Sequence, residues 1–432
     1  MRVSSLLGNK EIKNAGWLIS GRVVQMILSF LIGIVITRFL GPSNFGLINY
    51  GNSYVLLFTS LCTLGINSII IKELFDSPDK QGEILGSSIF LRVLSSLLSI
   101  IMITIISIVI DNGEKKTVMV VFLCSLTLLF QSLDTLNYWF QSRYESFVTA
   151  TCTLVAYFVT SLFRIVLLVV NADMIWFAIA SAVDTCCMGL LLLYIFKKKG
   201  RLHLSFEWSR AKCLLNKSYH FILSGMMVAI YGQTDKLMLK HMMDTESVGF
   251  YSLAMNLNAV WFFVLQAIID SMYPTILSLY KEDKKKFEKK NIQLYSIVVY
   301  LSAFVAICFM FFGRMIIRIL YGDEYNLAAE PLTIVTWYTI FAYLGVARNA
   351  WIVSENKQKY LKYIYLCAVI INIGLNAVFI PINGASGAAL ASLITQIFTS
   401  IILPLFIKEM RENVKLIFKA ILLPVRKVLG TL

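Results

Sequence analysis

The stretch LISGRVVQMILSFLIGIVITRFLGPSNFG (residues 18–46) is matched later in the chain by ILSGMMVAIYGQTDKLMLKHMMDTESVGF (residues 222–250). The pair Ser20-Gly21 recurs as Ser224-Gly225, and Gly46 recurs as Gly249. Each copy opens a series of six long apolar stretches, so the chain is composed of two halves with one plan. Two six-helix halves related by an internal repeat are typical of secondary transporters.

The length of the apolar stretches predicts that they cross a membrane. Apolar residues make up 58% of the chain and charged residues 15%, against about 25% charged in a soluble domain. A span needs about 20 apolar residues at 1.5 Å rise per residue. Such stretches lie at 14–40, 46–71, 84–110, 117–140, 147–170, 174–196, 215–239, 247–277, 291–320, 331–353, 359–381 and 385–407. Because they do not alternate in polarity, they predict an all-α integral membrane protein with 12 transmembrane helices rather than a barrel.

Each predicted half has an even number of helices, so both halves enter the membrane from the same side. We therefore expect two parallel-repeat six-helix bundles around a central cavity. The predicted domains are an N-terminal bundle (1–200), a cytoplasmic interfacial linker (201–214), a C-terminal bundle (215–407) and a cytoplasmic amphipathic tail (408–432). The linker is basic and aromatic and the tail alternates charged with apolar residues at helical spacing, as segments on a membrane surface do.

The net charge of +14 raises the question of a nucleic-acid partner, and the placement of the charges answers it. Basic runs lie in alternate loops, as in KKK (197–199) and KEDKKKFEKK (281–290). The other loops hold only Arg38, Lys115, Lys116, Lys240, Arg314 and Arg318. This asymmetry follows the positive-inside rule, so we expect cytoplasmic N- and C-termini and no nucleic-acid partner.

Motifs of catalysis are absent from the sequence. Eight cysteines and three histidines form no CxxC pair, and no Walker loop, HExxH or GxSxG occurs. A membrane-embedded glycosyltransferase or polymerase, the alternative from another class, normally needs a substantial external loop with catalytic residues, and the predicted outer loops are short. We therefore expect a protein that is not an enzyme.

Charged residues inside predicted spans are costly and mark candidate functional sites. The cations are Arg22, Arg92, Arg164, Lys236 and Arg348, and the acids are Asp134, Asp184 and Asp235. An excess of buried cations predicts a pocket for an anion carried on a lipid, and arginine binds a pyrophosphate bidentately. We therefore predict that Arg22, Arg92, Arg164 and Arg348 bind pyrophosphate. The alternatives are structural pairs such as Arg164 with Asp184, snorkelling of Arg348, and neutralisation of Asp235 by Lys236.

Three segments carry a family resemblance: RxxQ…ITRFLGPSNFGLINY (22–50), LNYWFQSRYES (136–146) and NIGLNAVFIPINGASGAALAS (372–392). They resemble the O-antigen and capsule repeat-unit flippases of the multidrug/oligosaccharidyl-lipid/polysaccharide exporter superfamily. The resemblance implies ion-coupled flipping of undecaprenyl-pyrophosphate-linked oligosaccharide from the inner to the outer leaflet of the bacterial inner membrane by alternating access. It implies membrane lipids and polysaccharide polymerase machinery as partners. The rival within the superfamily is a multidrug or cation antiporter, which favours acids in the cavity.

Related lipid II flippases imply a coupling-ion site, and no other cofactor is expected. The positions that match their sodium ligands are Asp235, Asn372, Asn376, Ser392 and the carbonyl of Ala388, with Asn376 where an aspartate would stand. Na⁺ is one expected ion, H⁺ through Asp235 another, and hydrogen bonds between helices are the structural alternative. For the sugar, stacking and hydrogen bonding predict Tyr138, Trp139 and Gln141, which an interfacial aromatic belt would explain equally.

Overall fold

The computed structural model describes residues 10–199 and 203–422, apart from the side chains of residues 10–23, 68, 221 and 224. All regular elements in these ranges are helical, which confirms the all-α prediction. The helices of the first part are α1 (Lys10–Thr63), α2 (Asn67–Asp76), α3 (Gln81–Ile110), α4 (Lys115–Gln131), α5 (Thr135–Ser142), α6 (Ser146–Val169) and α7 (Met174–Lys199). Those of the second are α8 (Trp208–Met242), α9 (Thr245–Ala259), α10 (Phe262–Glu282), α11 (Lys284–Tyr321), α12 (Ala329–Ala347), α13 (Asn349–Ser354), α14 (Leu361–Ile397), α15 (Leu403–Phe406) and α16 (Arg411–Ile421).

The described part of the chain has 9 helical segments long and apolar enough to cross a membrane, or 10 if the bent α8 counts as one span. Two of them, Val24–Thr63 and Gln358–Phe406, contain a glycine with positive φ in the interior: Gly41 at 70° and Gly384 at 51°. The predicted stretches 14–40 and 46–71 lie on either side of Gly41, and 359–381 and 385–407 on either side of Gly384. The multi-pass architecture is thus confirmed, while the count of 12 stays a prediction.

The kinks follow from local chemistry. Glycine adopts positive φ without the steric penalty of a Cβ, and a nearby proline removes a helical N–H donor. Gly41 is followed by Pro42, and Gly384 lies three residues after Pro381. Both kinks therefore combine the two residues that most readily end regular helical geometry.

The spans expose large apolar side chains on their outer surface, as expected of helices that face lipid. On α3, Ile105 is 55% exposed, and on α11, Phe304 and Phe311 are 65% and 72% exposed. Apolar surface of this extent is unfavourable in water and is typical of a membrane-facing surface. The exposed apolar side chains agree with the assignment of both helices as spans.

The chain divides into two compact units. The first contains residues up to Leu40 together with Leu47–Gln233, and the second contains Gly41–Gly46 together with residues from Thr234 onward. The division lies within α8, whereas the sequence placed a linker at 201–214 and the second bundle at 215–407. These predicted boundaries stay predictions, as do the bundles around a central cavity.

Each unit has its own apolar core. In the first, Ile70, Leu85, Trp139 and Phe196 bring together α2, α3, α5 and α7. In the second, Leu265, Leu294, Leu344 and Ile417 bring together α10, α11, α12 and α16. Because α16 contributes to this core, the described part of the predicted tail 408–432 lies against the bundle: Asn413 Nδ2 donates to the hydroxyl of Tyr295 at 2.7 Å.

Within the second unit, residues 41–46 lie against the start of α9. A Cβ on Gly46 would overlap the carbonyl of Thr245, and a Cβ on Gly249 would overlap that of Pro42. The hydroxyls of Ser43 and Thr245 are 2.9 Å apart. The glycine that recurs in the sequence repeat is therefore required twice at one reciprocal contact, because only a residue without a side chain allows the backbones to approach so closely.

Residues 203–207, here termed the strap, have no regular secondary structure and lie along α3. Ser205 N donates to the carbonyl of Gly82 at 3.3 Å, and Glu207 N donates to the hydroxyl of Ser87 at 3.0 Å. A Cβ on Gly82 or Gly86 would overlap a strap carbonyl. Glycines four residues apart share a helix face, so they form the groove that receives this part of the predicted linker.

Candidate functional site

Arg92 is buried within the first unit and donates to a break in a neighbouring helix. Its side chain is 1% exposed. One guanidinium nitrogen donates to Thr135 Oγ1 at 2.9 Å and another to the carbonyl of Gln131 at 3.0 Å. Gln131 ends α4 just before a 3₁₀ turn, Ser132–Asp134, where regular helical bonding is interrupted. Its predicted contact with pyrophosphate stays a prediction, but the geometry favours a structural role.

Arg348 has the corresponding environment in the second unit. It is 4% exposed and donates to the carbonyls of Thr399 at 3.2 Å and Ser400 at 3.4 Å. Both carbonyls belong to a π-helical segment, Phe398–Ile402, which departs from regular i→i+4 bonding. The guanidinium therefore satisfies backbone acceptors at a helix irregularity and does not snorkel to a membrane surface.

The other two predicted arginines differ from these. Arg22 lies on α1, and its side chain is outside the described residues. Arg164 on α6 is half-buried, and its guanidinium carbon lies 5.9 Å from the ring centre of Tyr157. The predicted pair of Arg164 with Asp184 is not formed within 4.0 Å among the described residues. Instead, Asp184 accepts a hydrogen bond from Thr160 at 3.1 Å.

The three residues predicted to contact sugar do not form one surface. Trp139 is 1% exposed, and its indole donates to Gln81 at 3.0 Å within the apolar core. Gln141 donates to Asn137 at 3.3 Å, and Tyr138 is half-buried. The structure thus places Trp139 in the core, and because successive residues of a helix point in directions about 100° apart, its neighbour Tyr138 points in a different direction. The sugar assignment stays a prediction that this geometry does not favour.

The second unit does bring most of the predicted ion ligands together. Asp235 is 5% exposed at the end of α8. Its Oδ1 accepts from the amides of Asn372 at 3.1 Å and Asn376 at 2.7 Å. Its Oδ2 accepts from the hydroxyls of Ser392 and Tyr251, each at 2.5 Å. Four donors from α9 and from both sides of the kink in α14 therefore surround one buried carboxylate.

The asparagines owe their common direction to helix geometry. Asn372 and Asn376 are four residues apart on α14 and share one face, and the second amide also donates to the first at 3.1 Å. Ser392 lies beyond Gly384, whose positive φ changes the direction of the helix. A Cβ on Gly387 would overlap the carbonyl of Phe379, so the chain on the two sides of this kink lies in close contact.

The arrangement has the chemistry of a site for a small hard cation. Carboxylate, amide and hydroxyl oxygens are the ligands that such ions prefer. The side-chain amide oxygen of Asn376, Oδ1, is buried without a partner among the described residues. Rotation of the two amides would turn their oxygens toward the carboxylate and replace donors with ligands. Ala388, whose carbonyl the resemblance added to this set, is fully buried on α14.

Tyr251 also belongs to this cluster, although the sequence did not predict it. It lies on α9, fully surrounded by protein at 2% exposure, and its hydroxyl donates to Asp235. A buried tyrosine usually finds a hydrogen-bond partner for its hydroxyl, but its spacing of sixteen residues from Asp235 crosses a helix boundary. Periodicity within one helix could not reveal the contact.

Models of two protein families match the chain. The model described as polysaccharide biosynthesis protein matches residues 12–280. The MatE model matches residues 221–378, which include Asp235, Tyr251, Asn372 and Asn376. The two matches overlap at α8 to α10.

Relatives and solved structures agree with these families. The chain is 22% identical over 398 residues to the capsular polysaccharide biosynthesis protein CapF of Staphylococcus aureus, covering 89% of this chain and 96% of CapF. It is similar in structure to the lipid II flippase MurJ, in an inward closed conformation (TM-score 0.69, 15% identity, 94% and 90% of the two chains). It is also similar to an inward-facing multidrug resistance MATE family transporter of the MOP superfamily (TM-score 0.68, 14% identity, 91% and 96%). These similarities show the fold of MOP superfamily transporters.

Proposed function

Because the chain belongs to the polysaccharide biosynthesis protein family, we propose that it flips a lipid-linked oligosaccharide across the bacterial inner membrane. The match over residues 12–280, in a chain with a transporter fold, is the observation that carries the proposal. The cargo is an undecaprenyl-pyrophosphate-linked repeat unit of O-antigen or a similar surface polysaccharide. It moves from the inner to the outer leaflet, where polymerase machinery uses it, and the protein itself makes or breaks no bond.

The physical task is to carry a polar headgroup through hydrocarbon. Transfer of an unshielded pyrophosphate into a low-dielectric medium would cost tens of kcal/mol by Born estimates. The polyprenyl tail can remain in lipid, so the protein needs a polar route only for the headgroup and sugar. Of the predicted arginines, Arg92 and Arg348 already donate to backbone carbonyls. The assignment of all four arginines to pyrophosphate stays a prediction, and at Arg92 and Arg348 the pyrophosphate would compete with these carbonyls.

The function is tested by deleting the gene and by reconstitution. In the deletion strain, surface polysaccharide should disappear and the lipid-linked repeat unit should accumulate on the inner leaflet. In proteoliposomes, the purified protein should move a fluorescent lipid-linked oligosaccharide to the opposite leaflet. Normal surface polysaccharide in the deletion strain, with no movement of lipid in the vesicles, would reject the proposal.

We also propose that the Asp235 cluster couples transport to a cation, Na⁺ or H⁺. The support is a buried carboxylate whose four partners all carry oxygen atoms and lie on two other helices. A bound Na⁺ would be held by oxygens in place of these donors, and protonation of Asp235 would weaken all four hydrogen bonds. Either event would change how strongly α9 and both parts of α14 are held together. Transport measured under a sodium gradient and then under a proton gradient distinguishes the two ions. Equal transport with neither gradient would reject coupling.

A multidrug antiporter is the second candidate, because the MatE model matches residues 221–378 and solved MATE transporters share the fold. The strain in which the gene is deleted also distinguishes the two functions. An antiporter predicts sensitivity to cationic drugs on deletion with unchanged polysaccharide, whereas a flippase predicts the reverse.

Both proposals place the N- and C-termini in the cytoplasm, following the distribution of basic loops. Attachment of a reporter active only in the cytoplasm to either terminus checks this orientation.

A further inference from the structure

One face of α6 carries polar side chains that the fold does not use. Tyr157, Ser161 and Arg164 follow one another at spacings of four and three residues, so they lie on one side of the helix. The guanidinium of Arg164 lies over the ring of Tyr157. This set, together with Thr160 and Asp184, is termed the α6 cluster.

Two hydroxyls of the α6 cluster are buried without partners. Tyr157 is 4% exposed and Ser161 is 5% exposed. Neither the phenol oxygen of Tyr157 nor Oγ of Ser161 has a hydrogen-bond partner among the described residues. A buried hydroxyl without a partner costs free energy, and these two lie on one helix face beside a guanidinium, where a single polar ligand would satisfy both.

The neighbouring helix adds a carboxylate to the same region. Asp184 on α7 is half-buried and accepts from Thr160, the residue that precedes Ser161, at 3.1 Å. The α6 cluster thus combines a guanidinium that only donates, a carboxylate that only accepts, and three hydroxyls that do both.

This mixture of groups discriminates between ligands. A diphosphate presents only acceptor oxygens and negative charge, so the carboxylate of Asp184 would repel it. A sugar presents neutral hydroxyl groups that both donate and accept, and adjacent hydroxyls can donate together to one carboxylate. The α6 cluster therefore matches a sugar better than it matches a diphosphate.

We infer that the α6 cluster binds the sugar hydroxyls of the transported lipid-linked oligosaccharide. Tyr157 and Ser161 hydrogen-bond to the sugar, Asp184 accepts from its hydroxyl groups, and Arg164 donates to its oxygens. The inference rests on the proposed function, since it takes the sugar part of that cargo as the ligand. It assigns Arg164 to the sugar in place of the pyrophosphate.

The test compares two lipids on the full-length protein in lipid nanodiscs. One is the lipid-linked oligosaccharide extracted from the source strain, and the other is undecaprenyl pyrophosphate without sugar. In the double variant Tyr157→Phe with Ser161→Ala, the sugar-bearing lipid should bind about tenfold more weakly, as expected when two hydrogen bonds are lost. Binding of undecaprenyl pyrophosphate should not change. Thermal stability should not fall either, because the deleted hydroxyls have no partners in the part of the chain that the structure describes.

Two further variants sharpen the result. Ser302→Ala on α11 removes another buried hydroxyl that has no partner among the described residues, and it should leave the binding of both lipids unchanged. Asp184→Asn keeps an acceptor for Thr160 but removes the negative charge. It should weaken binding of the sugar-bearing lipid, whereas at a diphosphate site it would strengthen binding of both lipids.

The outcomes are distinct. Equal loss of both lipids in the double variant, or tighter binding of both in Asp184→Asn, would assign the α6 cluster to the headgroup and overturn the inference. Unchanged binding of the sugar-bearing lipid in the double variant would also overturn it while leaving the proposed function intact. Failure of the unmodified protein to bind or move the sugar-bearing lipid would overturn both.

Discussion

Replacement of Asp235 separates the structural role of the buried carboxylate from its role in coupling. In Asp235→Ala, each asparagine amide keeps a second acceptor. Asn372 still donates to the hydroxyl of Ser392 at 3.4 Å, and Asn376 still donates to the side-chain oxygen of Asn372 at 3.1 Å. The hydroxyls of Tyr251 and Ser392 both lose the carboxylate as an acceptor, although they lie within hydrogen-bond reach of each other. One or both are therefore left without an acceptor, and at about 1–3 kcal/mol for each buried donor without a partner, the free energy of unfolding should fall by about 1–6 kcal/mol. Hydrogen bonds between membrane helices average only about 0.6 kcal/mol, so the lower end is expected.

Asp235→Asn should behave differently. The remaining carbonyl oxygen can still accept from the two asparagine amides, and the hydroxyls of Tyr251 and Ser392 can rotate to accept from the new amide. The free energy of unfolding should therefore change by less than about 1 kcal/mol. Ion-stimulated transport should nevertheless be lost, because the only formal negative charge in the cluster has been removed.

The assay pairs thermal unfolding of the purified variants with transport in proteoliposomes under an imposed ion gradient. Asp270→Asn is the matched control, since Asp270 is an exposed acid on α10 that accepts from Gln266 at 2.8 Å. It should retain both stability and coupling. Ion-stimulated transport by Asp235→Asn at the level of the unmodified protein would refute the role in coupling. Wild-type stability of Asp235→Ala would refute the reasoning about buried donors.

Three other substitutions test the packing described above. Gly249→Val should destabilise the protein by about 1–3 kcal/mol through overlap with the carbonyl of Pro42. Its control is Gly374→Ala on α14, where a Cβ meets nothing within 4 Å. This control should be neutral or stabilising in the same thermal assay. Gly86→Val should displace the strap and speed its cleavage in limited proteolysis. An unchanged cleavage rate would contradict the packing of the strap against the groove at Gly82 and Gly86. Arg92→Lys should cost about 1 kcal/mol, because an ammonium cannot reach both acceptors of the guanidinium. Its transport per folded molecule should stay normal, and a loss of transport at full stability would instead assign Arg92 to the substrate.

The buried arginines show where sequence reasoning is limited. The cost of an ionised group in hydrocarbon marks Arg92 and Arg348 as significant, but it does not say what compensates for the cost. In both cases the partners include backbone carbonyls at helix irregularities. Such irregularities depend on the packing of distant segments, and a hydropathy pattern does not contain them.

For the Asp235 cluster, most of the contacting residues were predicted from the sequence. Spacing within α14 predicts that Asn372 and Asn376 share a face, and the family resemblance adds Asp235 and Ser392. All four side chains meet in the structure. The hydroxyl of Tyr251 and the unpartnered hydroxyls of the α6 cluster became visible only from the tertiary contacts, because a donor is recognised as used or unused only when its neighbours are known.

The amino-acid sequence by itself determined that this protein is helical, that it crosses a membrane several times, and that its two halves repeat. These properties depend on apolar length and local periodicity, which each segment expresses independently of its neighbours. Tertiary structure decided which polar groups find partners: two arginines in part through backbone carbonyls, one aspartate through four donors, and two hydroxyls of α6 through nothing in the described chain. A hydrogen bond between helices depends on distances of a few ångströms between residues far apart in sequence, so only the folded arrangement fixes it.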